Sequence, residues 1–558
     1  MSNAQIAEFL RRYAAVLVLE GADRFKIKAY RRAAETLETL KQDVTKFVSR
    51  GEDLKQLPAI GPGISATIEQ IVRTGGLPQL ERALGKLEPG LLELATKPAL
   101  DPTKIKRIYK KLGIGSLREL KERLDSGEIR EVLGARLEFH IRQGLHERPR
   151  MLLWAAEKLI PAIQEQLSQC GATQVAAIGS LRRKKDTVGD LGFLISGRSA
   201  STIFKRFARF AIPHPEPSKS KHEKRFQLSE GRTINLVWSK SEEWGLSLLH
   251  HTGSDSHLAA LVSLAKKQRD PITAKALGRK ASDEGAVYAR LGLQFIEPEL
   301  REDRGEVEAA AVNALPTLVS LQDIRGDLHM HTTESDGADT LLAMAEAAQQ
   351  RGYEYIAITD HSQSLKITNG LTEKRLFQQI KAIDKLNAKL KGLTVLKSGE
   401  VDILEDGKLD YSDAILKELD LTICSIHSRF ALNREQQTNR LLRAMDNPYF
   451  NILGHATGRL LLKREGYELD FDKLMQHARS RDCFFEINSS PDRLDLSAER
   501  ARMAKEQGIK IAINTDAHST RELCFISAGI NQARRGWLGA KDVLNTHSLA
   551  ALRKLLRK

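Results

Sequence analysis

The sequence predicts a multidomain protein of mixed α/β and α+β class. Its length of 558 residues suggests about three to five domains. Up to about residue 145, apolar residues recur at helical spacing and are broken by glycine and proline, which indicates a helical region. From Asp323 onward, short apolar runs alternate with helical stretches, and this pattern is typical of a parallel sheet or barrel with helices outside.

Composition excludes several classes of protein. A hydrophobic content of 41% and a charged content of 28% are those of a globular protein with an ample core. No run of 18 apolar residues occurs, so no membrane span is expected, and the N-terminus lacks the apolar block of a signal peptide. The four cysteines are scattered without a CxxC pair, which favours a reducing cytoplasm over a disulfide framework or a thiolate zinc site.

Charge is unevenly distributed along the chain. The net charge is +15, and residues 1–320 hold 52 Lys and Arg against 39 Asp and Glu, a net of +13. Residues 321–558 hold 35 against 33, a net of +2. A basic front half is expected of a protein that contacts a polyanion such as DNA. A merely soluble basic surface is the alternative that composition leaves open.

The segment DLHMHTTESDG, residues 327–337, has the strongest chemical pattern. His329 and His331 are two residues apart, so on a strand their side chains point to the same side, where two imidazoles can hold one metal ion. Further His, Asp and Glu residues follow later predicted strands, at the end of a βα barrel where functional residues lie. These candidate ligands are Asp336, His361, Glu400, His427, His455, Asp516 and His518.

Residues 323–558 resemble the PHP (polymerase and histidinol phosphatase) phosphoesterase domain, a distorted βα barrel. The resemblance implies three divalent ions: one at His329, His331, Glu400 and Asp516, a second at Glu400, His427 and His455, and a third at Asp336, His361 and His518. Mixed imidazole and carboxylate ligands favour manganese or zinc over magnesium, and the implied reaction is phosphoester hydrolysis. Within the family's GHxxGR motif, Arg459 is the candidate for contacting a phosphate. Weaker candidates around the site are Arg429, Lys366, Asp360 and Asn488.

The front half contains a helix-hairpin-helix pattern. In LPAIGPGI, residues 57–64, Gly61 and Gly63 allow backbone N–H groups to approach a DNA phosphate. With the preceding DRFKIKAYRRAAETL, this segment resembles the N-terminal domain of family X DNA polymerases. The resemblance implies a DNA-binding role for Gly61, Gly63, Lys26, Lys28, Arg31 and Arg32.

The resemblance to family X polymerases continues through a nucleotidyltransferase palm and thumb. GSLRR and VGD match the nucleotide-binding loop and first catalytic strand with Asp190, and TGS matches the thumb motif. The implied nucleotide-binding residues are Gly179, Ser180, Arg182, Arg183, Thr252, Gly253 and Ser254. The whole chain is similar to bacterial PolX proteins with a C-terminal PHP domain. The expected regions are a helical DNA-binding domain (1–90), a fingers-like region (91–150), palm (151–238), thumb (239–305), linker (306–322) and PHP domain (323–558).

The palm departs from the family pattern at two of its three acids. Gly192 replaces the second acid and Asn235 stands where the third is expected, with Glu230 as the only nearby substitute in that segment. Two-metal nucleotidyl transfer needs those carboxylates to hold magnesium, so magnesium binding at the palm is doubtful and Asp190 is interpreted as a remnant. Residues 92–113 lack the paired glycines of a second hairpin, and Thr67 occupies the position of the lyase lysine in eukaryotic relatives.

The leading hypothesis is a DNA-repair nuclease. Its PHP site would act as a 3′→5′ exonuclease, with 3′-end processing or abasic-site cleavage as further roles, on gapped DNA or DNA with 3′ ends. We expect a monomer in the bacterial cytoplasm, associated with the nucleoid. The alternatives are a bifunctional gap-filling polymerase and exonuclease, a non-catalytic DNA-end-binding protein, and a small-molecule phosphatase of the histidinol phosphate type.

Overall fold

The structure is a computed structural model that describes residues 1, 3–40, 43–85, 87, 89–96, 100–145, 150–214, 220–228 and 232–556. Glu230 lies outside the described residues. The N-terminal region is helical, as expected, and aspartates cap several helices: Asp23 accepts hydrogen bonds from the first turn of the second helix. The helices are α1 Asn3–Glu20, α2 Arg24–Thr39, α3 Val44–Arg50, α4 Pro62–Thr74, α5 Pro78–Leu84, α6 Pro89–Thr96, α7 Pro102–Leu112, α8 Leu117–Asp125, α9 Glu128–Leu133 and α10 Ala135–Leu145.

These helices pack around two separate hydrophobic clusters. Helices α1 to α5 enclose one cluster with Leu10, Leu37 and Ile68 at its centre, each completely buried. A second cluster begins in α6 and includes Ile105, Ile108 and Leu120. The helical front half therefore consists of two small cores in sequence.

The palm is a five-stranded sheet in the order β2-β4-β7-β6-β5, in which β4 and β7 are parallel. Phe193, Ile195 and Leu236 point from one face into the core formed with α11 and α13. The opposite face carries Asp190, Gly192 and Asn235. The elements are β1 Met151–Leu152, α11 Leu153–Gln169, β2 Gln174–Ala177, α12 Gly179–Arg182, β3 Thr187–Val188, β4 Asp190–Ser196, α13 Ala200–Phe207, β5 Ile212–Pro213, β6 Glu223–Gln227 and β7 Thr233–Trp238.

The thumb is helical and continues directly into the predicted linker. Within residues 306–322 the first part packs on the thumb: Val307 and Ala310 belong to the thumb core, and the buried Glu306 Oε1 lies 2.6 Å from His257 Nδ1. Residues 311–314, which follow, are exposed. The helices are α14 Trp244–Thr252, α15 Asp255–Lys267, α16 Ala274–Leu277, α17 Glu284–Arg290 and α18 Glu306–Ala311.

Two parallel sheets form the C-terminal half, β10-β9-β8 and β11-β12-β13-β14-β15. Backbone bridges between Met330 and Ala517 and between His361 and Glu400 join the two sheets into a closed, distorted barrel. The strands are β8 Gly326–Asp327, β9 Tyr355–Ile358, β10 Thr394–Lys397, β11 Glu400–Asp402, β12 Ile423–Ser425, β13 Ile452–Leu453, β14 Phe484–Asn488 and β15 Ile511–Asn514.

Helices surround this barrel, and the predicted βα alternation is confirmed. Strands such as Tyr355–Ile358 are continuous apolar runs, and because they are apolar on both faces, both faces are buried. The helices are α19 Leu341–Gln350, α20 Glu373–Asn387, α21 Asp413–Leu416, α22 Arg434–Met445, α23 Phe471–Ser480, α24 Ala498–Glu506, α25 Ile526–Arg535 and α26 Leu549–Leu556.

The barrel packs against the thumb and palm through charged and aromatic contacts. Arg534 of α25 pairs with Glu299 at 2.7 Å, and Trp537 enters the thumb core. Trp154 of the palm makes an edge contact with Phe525, with ring centroids 5.3 Å apart. The barrel, palm and thumb therefore share an extended contact surface.

All four cysteines are free; three are buried and Cys524 is exposed. Among the described helices, no segment has both the length and the apolarity that a bilayer span requires.

Candidate functional site

The structure brings all nine predicted metal ligands together at the carboxyl ends of the barrel strands. Glu400 lies at the centre of the set. Its Oε1 is 2.9 Å from His455 Nε2 and 3.3 Å from His427 Nε2. Its Oε2 is 2.8 Å from His361 Nδ1 and 3.5 Å from His329 Nε2. One carboxylate therefore faces imidazoles on both of its oxygens, which is the arrangement of a bridging ligand.

Three overlapping groups have ligand atoms close enough to share an ion: His329, His331, Glu400 and Asp516; His361, Glu400 and His427; and His331, Asp336, His361 and His518. The first group equals the set that the PHP resemblance implied. The third contains the expected Asp336, His361 and His518 and adds His331. His455 joins the second through its contact with Glu400.

Orphaned buried atoms test whether this set fits metal ions. His329, His331 and Glu400 are at most 1% exposed. Nevertheless His329 Nε2, His331 Nδ1 and Glu400 Oε2 have no hydrogen-bond partner. Buried polar atoms without partners are costly, and a divalent ion with these atoms as ligands removes that cost. The residues present therefore fit divalent metal ions.

The charges within the cluster also favour cations. Burial by itself raises the pKa of Glu400, but the neighbouring imidazoles outweigh it and hold the pKa well below its usual range. Burial likewise raises the pKa of Asp516, but the neighbouring imidazoles hold it well below its usual range. Burial lowers the pKa of His427, but Glu400 and Asp402 raise it to about 10. Burial and His361 lower the pKa of His331 to about 3, so this imidazole is neutral and can donate a lone pair.

Two of the ligands occupy backbone conformations that non-glycine residues rarely adopt. The φ angles of His455 and Asp516 are +26° and +54°. Hydrogen bonds from His455 N to Glu486 Oε2 (2.8 Å) and from Asp516 N to the main-chain oxygen of His329 (3.0 Å) hold them there. Such local strain is typical of functional sites, where the surrounding structure fixes ligand direction.

Sequence reasoning missed two acids that orient the histidines. Glu486 Oε1 is 2.7 Å from His329 Nδ1, and Asp402 Oδ1 is 2.7 Å from His427 Nδ1. A carboxylate on the second ring nitrogen fixes the tautomer and raises the basicity of the nitrogen that faces the metal. The signal available in the sequence was an acid within the strands FFEIN and EVD, but acids are common and nothing there distinguished these two.

Asp360 and Asn488, weaker candidates from the sequence, both act on loops or ligands of the site. Asn488 Nδ2 donates to Asp516 Oδ2 at 2.9 Å. Asp360 accepts from Thr332 N at 2.8 Å and from Ser335 Oγ at 2.5 Å, which holds the loop that leads to Asp336. Arg429 instead pairs with Glu405 and is mostly exposed.

Arg459 is engaged by protein groups rather than open to a ligand. Its Nη2 donates to Asp186 Oδ2 of the palm at 2.9 Å and to the main-chain oxygen of Leu494, and its Nε donates to that of Arg493 at 3.0 Å. Arg493, which the sequence did not single out, lies nearer to the ligands, with its Nε 3.7 Å from Asp516 Oδ2 and its side chain 25% exposed.

In the palm, Gly192 on β4 lies directly opposite Asn235 on the parallel strand β7, and Asp190 lies opposite Thr233. This register places Asn235 beside Gly192. A Cβ on Gly192 would lie 2.9 Å from Ile178 Cγ1. Asn235 Oδ1 is buried without a hydrogen-bond partner. Within the described palm strands, the face that carries Asp190 therefore has no second acid at either predicted position.

The predicted nucleotide loop is held by thumb carboxylates. Arg182 makes a two-pronged pair with Glu284, at 2.9 and 2.8 Å, and also donates to Thr252 Oγ1. Arg183 pairs with Glu302 at 2.9 Å and donates to the main-chain oxygen of Thr252.

Other residues of this predicted set lie in the same region. Gly179 begins α12 with a φ of +62°, and Ser180 follows it in the same helix. Ser254 caps α15 by accepting from His257 N, and a Cβ on Gly253 would lie 2.8 Å from the His257 ring. The palm loop and the thumb motif are adjacent, because Arg182 and Arg183 both contact Thr252.

The predicted DNA-binding residues lie at the surface of the helical front half. Gly61 precedes Pro62, the first residue of α4, and a Cβ at Gly61 or Gly63 would meet no atom within 4 Å. Thr67 is buried, donates to the main-chain oxygen of Gly63 and contacts the Tyr30 hydroxyl. All four predicted cations, Lys26, Lys28, Arg31 and Arg32, are exposed on α2, and so is Arg24 at its start.

Three family models match the chain: a helix-hairpin-helix domain over residues 1–77, the DNA polymerase beta thumb over 247–302, and the PHP domain over 327–490. A curated protein of Bacillus subtilis (strain 168), named DNA polymerase/3′-5′ exonuclease PolX, is 36% identical over 578 aligned positions that cover 100% of both chains. The chain belongs to the PolX family.

Other relatives of this PolX family member match the barrel alone. A probable phosphatase of Thermoanaerobacter sp. (strain X514) is 30% identical over 231 residues, which cover 39% of this chain and 89% of the relative. A probable phosphatase of Clostridium acetobutylicum is 32% identical over 202 residues, which cover 34% and 78% respectively. The barrel thus also occurs without a polymerase-like half.

Proposed function

We propose that this PolX member is a DNA-repair nuclease that hydrolyses phosphodiesters from 3′ ends in its PHP site, while its palm no longer supports nucleotide addition. The observation that carries the proposal is the contrast between the two sites. The barrel brings together nine metal-binding side chains, whereas the palm face holds Asp190 without a second acid at Gly192 or Asn235.

The described side chains have distinct parts in the proposed hydrolysis. Three divalent ions, manganese or zinc, held by the nine ligands would lower the pKa of a bound water and offset the charge of a phosphate. Glu486 and Asp402 keep the imidazoles of His329 and His427 oriented. Arg493 extends beside Asp516, where its guanidinium can donate to a phosphate oxygen of the scissile group.

The front half supplies DNA binding in this proposal. The helix-hairpin-helix match, the open glycine turn before α4 and the exposed cations of α2 support contacts to the DNA backbone. The preferred substrates would be gapped DNA or DNA with 3′ ends, with abasic-site cleavage as a further role. The name of the Bacillus subtilis relative includes a 3′-5′ exonuclease activity, which agrees with this polarity.

The ion pairs of the palm loop support loss of the polymerase reaction. Arg182 and Arg183 would face a triphosphate in an active palm, but here their guanidinium groups form ion pairs with Glu284 and Glu302. A nucleotide would have to displace two partly buried, charge-assisted pairs, which costs more than displacement of water.

The test uses gapped DNA labelled at either the 5′ or the 3′ end of the primer strand, with Mn²⁺ and with or without nucleotides. Wild type should shorten the 5′-labelled primer stepwise, and His329→Ala with His331→Ala should abolish this. The proposal would be overturned if wild type did not hydrolyse the DNA, or if the double variant kept full activity. Equal melting temperatures of the two proteins serve as the folding control.

A second candidate is a bifunctional enzyme that also fills gaps. Asp190 is retained, and the Bacillus subtilis relative is named a DNA polymerase as well. Primer extension on a one-nucleotide gap distinguishes the two: synthesis that Asp190→Ala abolishes would establish the bifunctional enzyme, and its absence in wild type supports the nuclease alone.

A further inference from the structure

A loop of the palm reaches across to the metal site of the barrel. Residues 183–186 connect α12 to β3, and Asp186 is held in place by a hydrogen bond from Leu153 N to its main-chain oxygen at 2.9 Å. The Asp186 carboxylate accepts from Arg459 Nη2 at 2.9 Å, across 273 residues of sequence. The side chains of this pair are 22% and 17% exposed, so the contact is largely shielded from water.

Among the side chains of this loop, Asp186 is the one that bonds to the barrel. Arg183 and Lys185 pair with Glu302 of the thumb, and Lys184 pairs with Glu157 of α11. Arg535 of the barrel adds a hydrogen bond to the main-chain oxygen of Arg183 at 3.0 Å. The loop is thus fixed from the palm, from the thumb and by Arg535 of the barrel, while the Asp186 carboxylate faces Arg459 at 2.9 Å and Arg535 Nε at 4.0 Å.

Arg459 also contacts the segment that precedes α24. Its guanidinium donates to the main-chain oxygens of Arg493 and Leu494, so the same side chain joins the palm loop to this segment. Arg493 in turn approaches Asp516 Oδ2, and Asp516 Oδ1 lies 3.0 Å from His331 Nε2. A continuous series of short contacts therefore runs from the palm to the ligands.

We propose that Asp186 of the palm is a positioning residue for the nuclease site of the barrel, because it fixes Arg459 and thereby the placement of Arg493. This inference depends on the proposed function for its catalytic consequence, but its structural part does not. Without the carboxylate, the guanidinium of Arg459 keeps two main-chain acceptors and loses its charged partner. The guanidinium then becomes more mobile, which weakens its hold on the main-chain oxygens of Arg493 and Leu494, and Gln532 remains as a second donor to Leu494.

The rate of hydrolysis depends on how precisely the phosphate is positioned. A displacement of about 1 Å at a group that aligns substrate can reduce a rate by about 100-fold. Asp186→Asn should therefore lower kcat/KM for 3′-end hydrolysis by about 10- to 100-fold. The bound metal per chain should remain that of wild type, because no metal ligand is altered.

The experiment compares Asp186→Asn, Arg459→Ala and the double variant with wild type, and uses Glu157→Gln as the matched control. Glu157→Gln makes the same acid-to-amide change on another partner of the loop, Lys184, and should keep wild-type kcat/KM. The double variant should be no worse than Arg459→Ala, because the Asp186 carboxylate accepts its hydrogen bond from Arg459 while Arg535 Nε stays 4.0 Å away. Asp186→Glu should recover part of the activity.

Hydrogen exchange provides a readout that does not require catalysis. The amides of Arg493 and Leu494, which donate to the Ser490 main-chain oxygen, should exchange faster in Asp186→Asn than in Glu157→Gln. Unchanged exchange together with unchanged kcat/KM in Asp186→Asn would overturn the inference. Absence of hydrolysis by wild type would instead remove the proposed function, while the exchange comparison would still decide the role of Asp186.

Discussion

Replacement of Glu486 by glutamine should weaken metal binding strongly, although the two side chains have nearly the same shape. Glu486 Oε1 contacts His329 Nδ1 at 2.7 Å and accepts from Asn514 Nδ2 at 2.9 Å. Its Oε2 accepts from His455 N at 2.8 Å and from Asn488 Nδ2 at 3.3 Å. Each oxygen of the Glu486 carboxylate therefore contacts two nitrogen atoms.

The magnitude follows from this geometry. In either orientation, the amide of glutamine places its NH₂ group against two donors, and the negative charge beside His329 is lost. Loss of a carboxylate behind a ligating histidine costs about 10- to 100-fold in metal affinity. We expect the same range for Mn²⁺ binding to Glu486→Gln, which corresponds to about 1.4–2.7 kcal/mol.

The assay is Mn²⁺ titration by calorimetry, with metal per chain measured after dialysis against a weak chelator. Asp402→Asn should give a comparable loss through His427, and Glu354→Gln, which alters an exposed pair with Arg325, should give none. Wild-type affinity and metal content in Glu486→Gln would refute the assignment of this carboxylate.

Three further outcomes are expected. Gly63→Ala should leave the melting temperature unchanged or raised, because the methyl group meets open space within α4, but should weaken binding to gapped DNA several-fold in an anisotropy titration. Burial and a neighbouring histidine lower the pKa of His251 to about 4, so the unfolded chain takes up this proton first as pH falls. Stability should thus decrease from about pH 6.5 towards 4, and His251→Asn should flatten that decrease in urea unfolding. Gly192→Asp with Asn235→Asp should not support Mg²⁺-dependent primer extension, whereas the same pair with Ile178→Ala should gain it; extension by the double variant would contradict the steric argument.

Strands and ligands of the barrel were predictable because both follow local rules. Strand residues such as Tyr355–Ile358 are continuous apolar runs, and parallel strands place the residues that follow them at one edge. His361, His427 and His455 each follow such a run, so the sequence alone indicated that they meet. The resemblance to a known family then supplied the grouping, and in the structure the ligand atoms of His329, His331, Glu400 and Asp516 lie within 4.8 Å of one another.

Contacts that depend on side-chain packing were not predictable in this way. Arg459 was expected at a phosphate because it matches the family's GHxxGR motif, but its partner Asp186 is 273 positions away and belongs to another domain. Nothing in the local sequence distinguishes an arginine that faces a ligand from one that faces a neighbouring domain. The same holds for Glu486 and Asp402, whose roles depend on which ring nitrogen faces them.

The contact between Gly192 and Ile178 limits how an acid could be placed in the palm. Ile178 packs with Leu194 and Val237 into a small apolar cluster, so the space beside the glycine is filled. An aspartate at position 192 would enter a space already filled by a branched side chain, and would be unfavourable there. Installing a carboxylate at this position therefore takes two changes in a fixed order: the side chain at 178 must become smaller before the acid is introduced.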